Sequence, residues 1–371
     1  MVDELAVGIG SRPAGSEAEQ QAAGYLRDRL ASYGYAASLQ PFPFESYQDL
    51  GSLVEVTSPG SRPLNTFALA KSVSGLVEAA LVAAGLGRPE DFPADSTGKV
   101  ALVERGELFY SDKVQNATNA GAAAVIVYNN EPGIIAAQLR EPSAIPAVTI
   151  SQEDGQALLS LLQAGPVTLR VEVNAETKTL ESRNVVAQPP GQDCRVVAGG
   201  HYDSVPAGPG ANDNASGTAV VMEMARVLAA DGQMDDVCFA LFGAEEVGLL
   251  GSAHYVSALD AQARSGVGGM LNFDMLAVGD QWPLVGSAEI VQLAAQAAGT
   301  LGISHELADA PANVGSDHSS FIDAGIPAML FNCFCDEHYH TADDRLEFVQ
   351  GERLAQAGAI GLGVIEALLR Q

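Results

Sequence analysis

Beyond about residue 181 the chain repeats one arrangement: a short, continuously apolar run, then a polar loop, then a helix. The runs are Arg195 to Gly199, Val237 to Phe242, Met270 to Phe273 and Ile326 to Phe331. Unbroken apolarity over so few residues suits strands covered on both faces. Strand, loop and helix in repeated order predict an α/β fold with a doubly wound, mainly parallel sheet flanked by helices. A helix is expected from Gly217 to Ala230, where Val220, Val221, Met224, Val227 and Leu228 share one face. In such a sheet the loops at the carboxyl ends of the strands line one crevice. His201, Glu245, Glu246 and Asp274 each follow the end of a run, so they are expected to converge there.

The rest of the chain reads differently. A helix from Glu17 to Tyr33, capped by Ser16, and an alternating strand from Tyr35 to Phe44 fill residues 1–48. From 49 to 175 come short β-type runs at Val54 to Val56, Val100 to Val103, Ala123 to Tyr128, Ala147 to Ile150 and Val167 to Val173. Helices near Asp112 to Ala120 and Gln152 to Leu162 lie between them, as in a separate α/β module. All four lysines fall between Lys71 and Lys178, which also points to a boundary.

Composition narrows the function. Nineteen basic against 46 acidic residues leave a net charge of -27, which repels a phosphate backbone, so no nucleic-acid partner is expected. No apolar run approaches the ~20 residues needed to span a bilayer, and no membrane role is expected. The amino terminus has neither a basic start nor a continuous apolar stretch. As it stands the chain reads as soluble and cytoplasmic, or as secreted if a signal was removed. Four cysteines are too few for a disulfide-framed scaffold. Cys194 and Cys238 read as buried thiols or a bridge, and Cys333 and Cys335 as free thiols or a tight loop disulfide.

Imidazole and carboxylate without thiolate is the donor set of catalytic zinc, which keeps a position open for water. In His201-Tyr-Asp203-Ser204, Asp203 is expected to accept a hydrogen bond from the second nitrogen of His201. Asp213, in Gly210-Ala-Asn-Asp-Asn-Ala-Ser-Gly217, suits a turn before a helix and also a carboxylate shared between two metals. Of the adjacent Glu245 and Glu246, one can ligate while the other takes a proton, and residue chemistry leaves their order open. It also leaves His338 and His340 as equal candidates. His254 and His305 read as surface or core histidines.

The segments GGHYDS at 199–204, GANDNASG at 210–217, FGAEEVGLLGS at 242–252, NFDM at 272–275, GSDHSSF at 315–321 and YHT at 339–341 together resemble the co-catalytic zinc aminopeptidase family. That family also includes glutamate carboxypeptidases and glutaminyl cyclases. The segment at 98–130 is similar to the protease-associated domain that many members carry as an insertion. The resemblance implies a zinc exopeptidase fold, with a catalytic domain of 1–48 plus 176–371 interrupted by the inserted domain at 49–175. It implies two zinc ions, with His201 and Asp274 on one, Glu246 and His340 on the other, and Asp213 as the bridge. Glu245 becomes the general base, Tyr339 a residue that helps stabilise the oxyanion, and Asp317 part of the hydrogen-bonded surround. Ser319 and Ser320 depart from the bulkier sequence common in relatives. The implied substrates are peptides with a free N-terminus, since a carboxypeptidase needs arginines and none lies in these segments. The competing readings are a carboxypeptidase or dipeptidase, a cyclase-like enzyme, and a non-catalytic binding protein. The inserted domain holds no clustered ligands and is expected to shape access or bind part of a peptide.

Overall fold

The computed structural model describes residues 1–309 and 315–371. The chain divides into two compact units, Met1–Phe44 with Leu180–Gln371, and Glu45–Thr179.

The first unit is built on an eight-stranded mixed sheet. In spatial order it contains β1 (Ala36–Asp49), β10 (Ala175–Gln188), β12 (Val237–Phe242), β11 (Val196–His201), β13 (Gly269–Phe273), β16 (Ala328–Phe331), β14 (Trp282–Gly286) and β15 (His305–Leu307). The chain leaves this unit through β1 and returns through β10. The central strands β12, β11, β13 and β16 are parallel to one another and buried at every position, as their unbroken apolarity requires.

Alternate residues of these strands point to opposite faces. Val196, Ala198, Phe239, Leu241, Leu271 and Phe273 share one core cluster with α1 (Glu17–Ser32), α4 (Gly217–Ala230), α7 (Ala288–Leu301) and α9 (Gly351–Leu369). Val197, Ala240, Phe242 and Met270 face α5 (Leu250–Ala258) and α8 (His318–Asp323) through Tyr255, Val256 and Phe321. The sheet is thus covered on both sides, with the short α6 (Ala261–Gly266) following α5. Ser16 caps α1 by accepting from the Glu19 amide. Where α4 begins, a Cβ on Gly217 would stand 2.0 Å from the Phe273 carbonyl oxygen, so only glycine lets the preceding loop lie against the end of β13.

The second unit has its own eight-stranded sheet. Its order is β3 (Arg62–Leu64), β2 (Leu53–Ser58), β9 (Thr168–Val173), β5 (Gly75–Ala83), β6 (Val100–Glu104), β7 (Ala124–Tyr128), β8 (Ala147–Ile150) and β4 (Thr66–Ala68). Strands β5 to β8 run parallel. Helices α2 (Tyr110–Asn119) and α3 (Gln152–Ala164) contribute to separate core clusters, through Val114 and Ala117 and through Leu158.

Cys194 and Cys238 form a disulfide, whereas Cys333 and Cys335 are free thiols. Among the described residues no helix is long and apolar enough to cross a membrane.

Candidate metal centre

Every polar side chain singled out at a strand end arrives at one crevice. His201 closes β11, Glu245 and Glu246 follow β12, Asp274 follows β13, and His340 lies in the loop beyond β16. Asp213 stands between the two histidines. Its Oδ1 is 3.2 Å from His201 Nε2 and its Oδ2 is 3.2 Å from His340 Nε2. His201 Nε2 also lies 3.3 Å from Asp274 Oδ1, and His340 Nε2 lies 3.0 Å from Glu246 Oε2. The result is two groupings that share one carboxylate, His201 with Asp213 and Asp274, and Asp213 with Glu246 and His340. Within each, the donor atoms lie within 4.8 Å of one another. Glu245 belongs to neither.

The other histidines go elsewhere. His338 stacks on Phe348 with ring centroids 4.2 Å apart, His254 stacks on Phe42 at 5.0 Å, and His305 Nδ1 lies 3.0 Å from the Ile303 carbonyl oxygen. Tyr339 stacks on His340 at 3.7 Å and is half exposed at the cavity.

The loop carrying Asp213 is held from two sides. Asp344 accepts the backbone N–H of Asn212 at 2.7 Å and of Asp213 at 2.9 Å, which ties the Asp213 loop to the His340 loop. Asn212 Oδ1 accepts from the Ala277 amide at 2.7 Å, and Asn214 Nδ2 donates to the Phe273 carbonyl at 2.9 Å. Arg12, buried near the amino terminus, donates to the carbonyls of Tyr202, Pro209 and Gly210 and fixes the loop between His201 and Asp213. None of these supports was singled out from the sequence. Asn212 and Asn214 do lie inside the quoted segment at 210–217, and that was their only signal; Arg12 and Asp344 lie in none of the quoted segments.

Asp203 differs from expectation in detail. The nearest oxygen to His201 Nδ1 is the backbone carbonyl of Asp203 at 3.2 Å, with the carboxylate Oδ1 at 3.5 Å. The carboxylate instead accepts the amides of Glu245 at 3.2 Å and Glu246 at 3.4 Å, so it orients the glutamate pair as well as the imidazole. Asp317 is fully buried beside the cluster, and burial raises its pKa to about 7. Ser320, at the position of the departure from relatives, shares a 2.9 Å hydrogen bond with Ser252.

Six carboxylates thus gather around two imidazoles, and among the described residues none of the six forms an ion pair with lysine or arginine. The strain shows in their titration. Burial holds Glu245 well above the carboxylate range and Glu246 at about 7. Burial would also raise Asp213, but hydrogen bonds from His201 and His340 outweigh it and hold that carboxyl well below its usual value. Burial would lower both histidines, yet the facing carboxylates raise His201 well above the usual range and His340 to about 9. Such an excess of buried negative charge, presented as oxygen and imidazole nitrogen without thiolate, fits divalent zinc. Beside it is a cavity of about 340 Å³ lined by the cluster with Met275, Asn332, Phe334, Cys335, Asp336 and Tyr339, and by no lysine or arginine among the described residues.

Comparison with known proteins finds similar peptidases. The model of the family described as Peptidase family M28 matches residues 184–365, and that of the PA domain matches residues 74–158. Aminopeptidase YwaD of Bacillus subtilis is 34% identical over an alignment covering 100% of this chain and 84% of its own. A probable leucine aminopeptidase 2 of Aspergillus fumigatus is 36% identical over 72% of this chain, which spans only 54% of that protein. Among solved structures, an aminopeptidase from Aneurinibacillus sp. strain AM-1 superposes with a TM-score of 0.86 at 34% identity, covering 98% of this chain and 93% of the other. BSAP, a zinc aminopeptidase from Bacillus subtilis, gives 0.78 at 32% identity, with 98% and 92% covered.

Proposed function

The chain belongs to peptidase family M28, and from that membership we propose that it is a zinc-dependent aminopeptidase that removes the first residue of a peptide by attack of water on the first peptide bond. The observation that carries the reading is the pair of groupings that share Asp213 while Glu245 stands free beside them.

On this reading His201 and Asp274 would hold one zinc ion and Glu246 and His340 a second, with Asp213 as the carboxylate common to both. Bound zinc supplies Lewis acidity, which polarises a carbonyl and makes water a better nucleophile near neutral pH. Glu245 takes the proton from the attacking water and hands it to the departing amine, a role suited to a carboxyl raised by burial. Asp203 keeps that base in place through the Glu245 and Glu246 amides. Tyr339 donates its phenol hydrogen to the developing oxyanion. Burial, with the nearby charges of Asp213 and Glu246, holds the phenol above its ordinary pKa, so it stays protonated. An acidic cavity with no lysine or arginine among its described lining residues suits the free α-ammonium of a peptide and not a C-terminal carboxylate.

The test is a panel of aminoacyl p-nitroanilides beside N-blocked and C-terminal substrates, run on metal-depleted protein with and without zinc. The expected result is zinc-dependent release from free-amine substrates only. Cleavage confined to C-terminal substrates points to a carboxypeptidase, and zinc binding without any cleavage points to a cyclase or a binding protein.

A further inference from the structure

Where β16 ends, the chain continues as Asn332-Cys333-Phe334-Cys335-Asp336, and Phe334, Cys335 and Asp336 line the cavity. Phe334 takes a left-handed turn with φ of 53°, its amide donating to Asn332 Oδ1 at 2.6 Å. That turn folds Cys335 back over Cys333, so that the Cys335 amide donates to Cys333 Sγ at 3.2 Å. Cys333 is buried and Cys335 exposed, and neither belongs to a metal grouping.

A third group meets them. Arg353 of α9 is 5% exposed and stacks 3.7 Å above the Trp282 ring. Its Nη2 donates to the Gln281 carbonyl at 3.1 Å, while its buried Nε and Nη1 have no acceptor among the described residues. Unfilled buried donors on a guanidinium favour an anion nearby, and the Arg353 charge opposes, without overcoming, the burial that raises the Cys333 thiol. All three side chains pack around Gly279, whose φ is +97°. A Cβ there would stand 2.8 Å from Cys335 Sγ, 3.2 Å from Cys333 Cβ and 3.6 Å from Arg353 Nη2. Glycine at 279 is what leaves room for the pair.

We propose that Cys333 and Cys335 are a dithiol modification site that closes to a disulfide by exchange with a low-molecular-weight disulfide, and that closure resets the wall of the cavity. In the first step the Cys335 thiolate attacks one sulfur of the small disulfide. The bond between the two small sulfurs breaks, and one leaves as a thiolate with the electron pair. In the second, Cys333 loses its proton to solvent and attacks Cys335 Sγ, expelling the other small thiolate. Two protein thiols are oxidised and one small disulfide is reduced to two thiols. Burial and the neighbouring Cys335 thiol push the Cys333 thiol up to about 12, which leaves the exposed Cys335 to meet the reagent first and Cys333 to resolve the adduct. Closure ties down both sides of Phe334 within the cavity wall. It also reaches Asp336, whose Oδ2 accepts from Asn212 Nδ2 at 2.6 Å, next to Asp213.

The kinetic consequence rests on the aminopeptidase reading, whereas the bond itself can be tested without it. The zinc-loaded full chain is treated with excess glutathione disulfide and then with reduced glutathione. Tryptic peptide 265–345 contains both thiols and neither half of the Cys194–Cys238 bridge. It is expected to lose two hydrogens and carry no adduct. Emission of Trp282, the only tryptophan of the chain, is expected to fall. Turnover of a leucyl p-nitroanilide is expected to drop by about tenfold in kcat/KM, with a smaller loss for the alanyl substrate, and reduced glutathione to reverse all three. In Cys333→Ser the exchange stops at one glutathione adduct. A peptide that stays a free dithiol, or that carries stable adducts on both cysteines, overturns the site. A disulfide that leaves kcat/KM unchanged overturns its control of the cavity. Absence of activity in the reduced protein counts against the aminopeptidase reading alone, because the peptide mass decides the bond by itself.

Discussion

Both units lay four parallel strands side by side, and in both the carboxyl ends of those strands carry polar side chains, yet the two edges are settled in opposite ways. In the second unit the polar groups satisfy one another. Arg105 Nη1 donates to Asn129 Oδ1 at 2.9 Å, Lys113 Nζ donates to the Glu104 carbonyl at 2.8 Å, and Ser151 caps α3 by accepting the Asp154 amide at 3.0 Å. In the first unit, carboxylates from separate strand ends converge on two histidines with no lysine or arginine paired to them among the described residues. Topology supplies a crevice in each case, and the side chains placed there decide whether it is a finished surface or a site that needs cations.

That contrast can be broken at its strongest point. Replacing the shared carboxylate, Asp213→Ala, is expected to cost about 10³-fold or more in kcat/KM with loss of bound zinc, since both groupings lose a donor. The matching change in the second unit, Asn129→Ala, is expected to leave kcat/KM on a p-nitroanilide within about twofold and to cost about 1 kcal/mol of stability. Equal kinetic losses from the two variants would erase the distinction. Asp344→Asn sharpens it next. An amide nitrogen in place of one acceptor oxygen faces the Asn212 or Asp213 amide, and zinc affinity is expected to fall about 10- to 100-fold. Competition against a chromogenic chelator measures this, and unchanged affinity would show that the Asp213 loop needs no such support.

Protonation offers a third probe. In the metal-free protein His340 is raised to about 9, because hydrogen bonds to Asp213 and Glu246 overcome the lowering effect of burial. Zinc requires the neutral ring and below about 9 must displace its proton, so apparent affinity rises with pH and levels off above that value. The expected gain is about tenfold between pH 7 and 8. A flat profile would mean that His340 is not displaced from its proton by the ion.

The smallest effect separates the crevice from other buried acids of the same unit. Glu19 accepts from the Ser182 hydroxyl and from the Gly15 amide at 2.6 Å, yet burial raises it to about 7. A carboxyl raised in the folded state contributes stability that is full below its unfolded value near 4.5 and is lost as pH rises through about 7. Glu19→Gln is therefore expected to gain about 1 kcal/mol on the wild type between pH 6 and 8.5, read as a widening Tm difference. A constant difference across that range would place Glu19 in its ionised form throughout.

How much was legible depended on the distance between partners in the chain. The Ser16 cap is local, and α1 follows it from Glu17. The central strands were visible because burial on both faces forces unbroken apolarity. Strand β5 was not, since its Leu, Glu and Ala content favours a helix and only pairing with β6 and β9 overrides it. The sequence boundaries at 48/49 and 175/176 lie several residues from the division at 44/45 and 179/180, because β1 and β10 run through it without a change of pattern. At the site, the ends of β11, β12 and β13 announce His201, Glu245 with Glu246, and Asp274, whereas Arg12 and Asp344 act on backbone groups far away in the chain and leave no local trace. His338 and His340 could not be separated by residue chemistry either. Their difference is a ring stacked on Phe348 against a ring facing Asp213 and Glu246.

The most direct test of the central claim, that Glu245 moves the proton beside ions held by the other residues, is Glu245→Gln assayed for zinc content and turnover on the same sample. The account predicts wild-type zinc, two ions per chain, with kcat reduced by about 10²- to 10⁴-fold. Turnover near the wild-type level, or zinc lost together with activity, would contradict it.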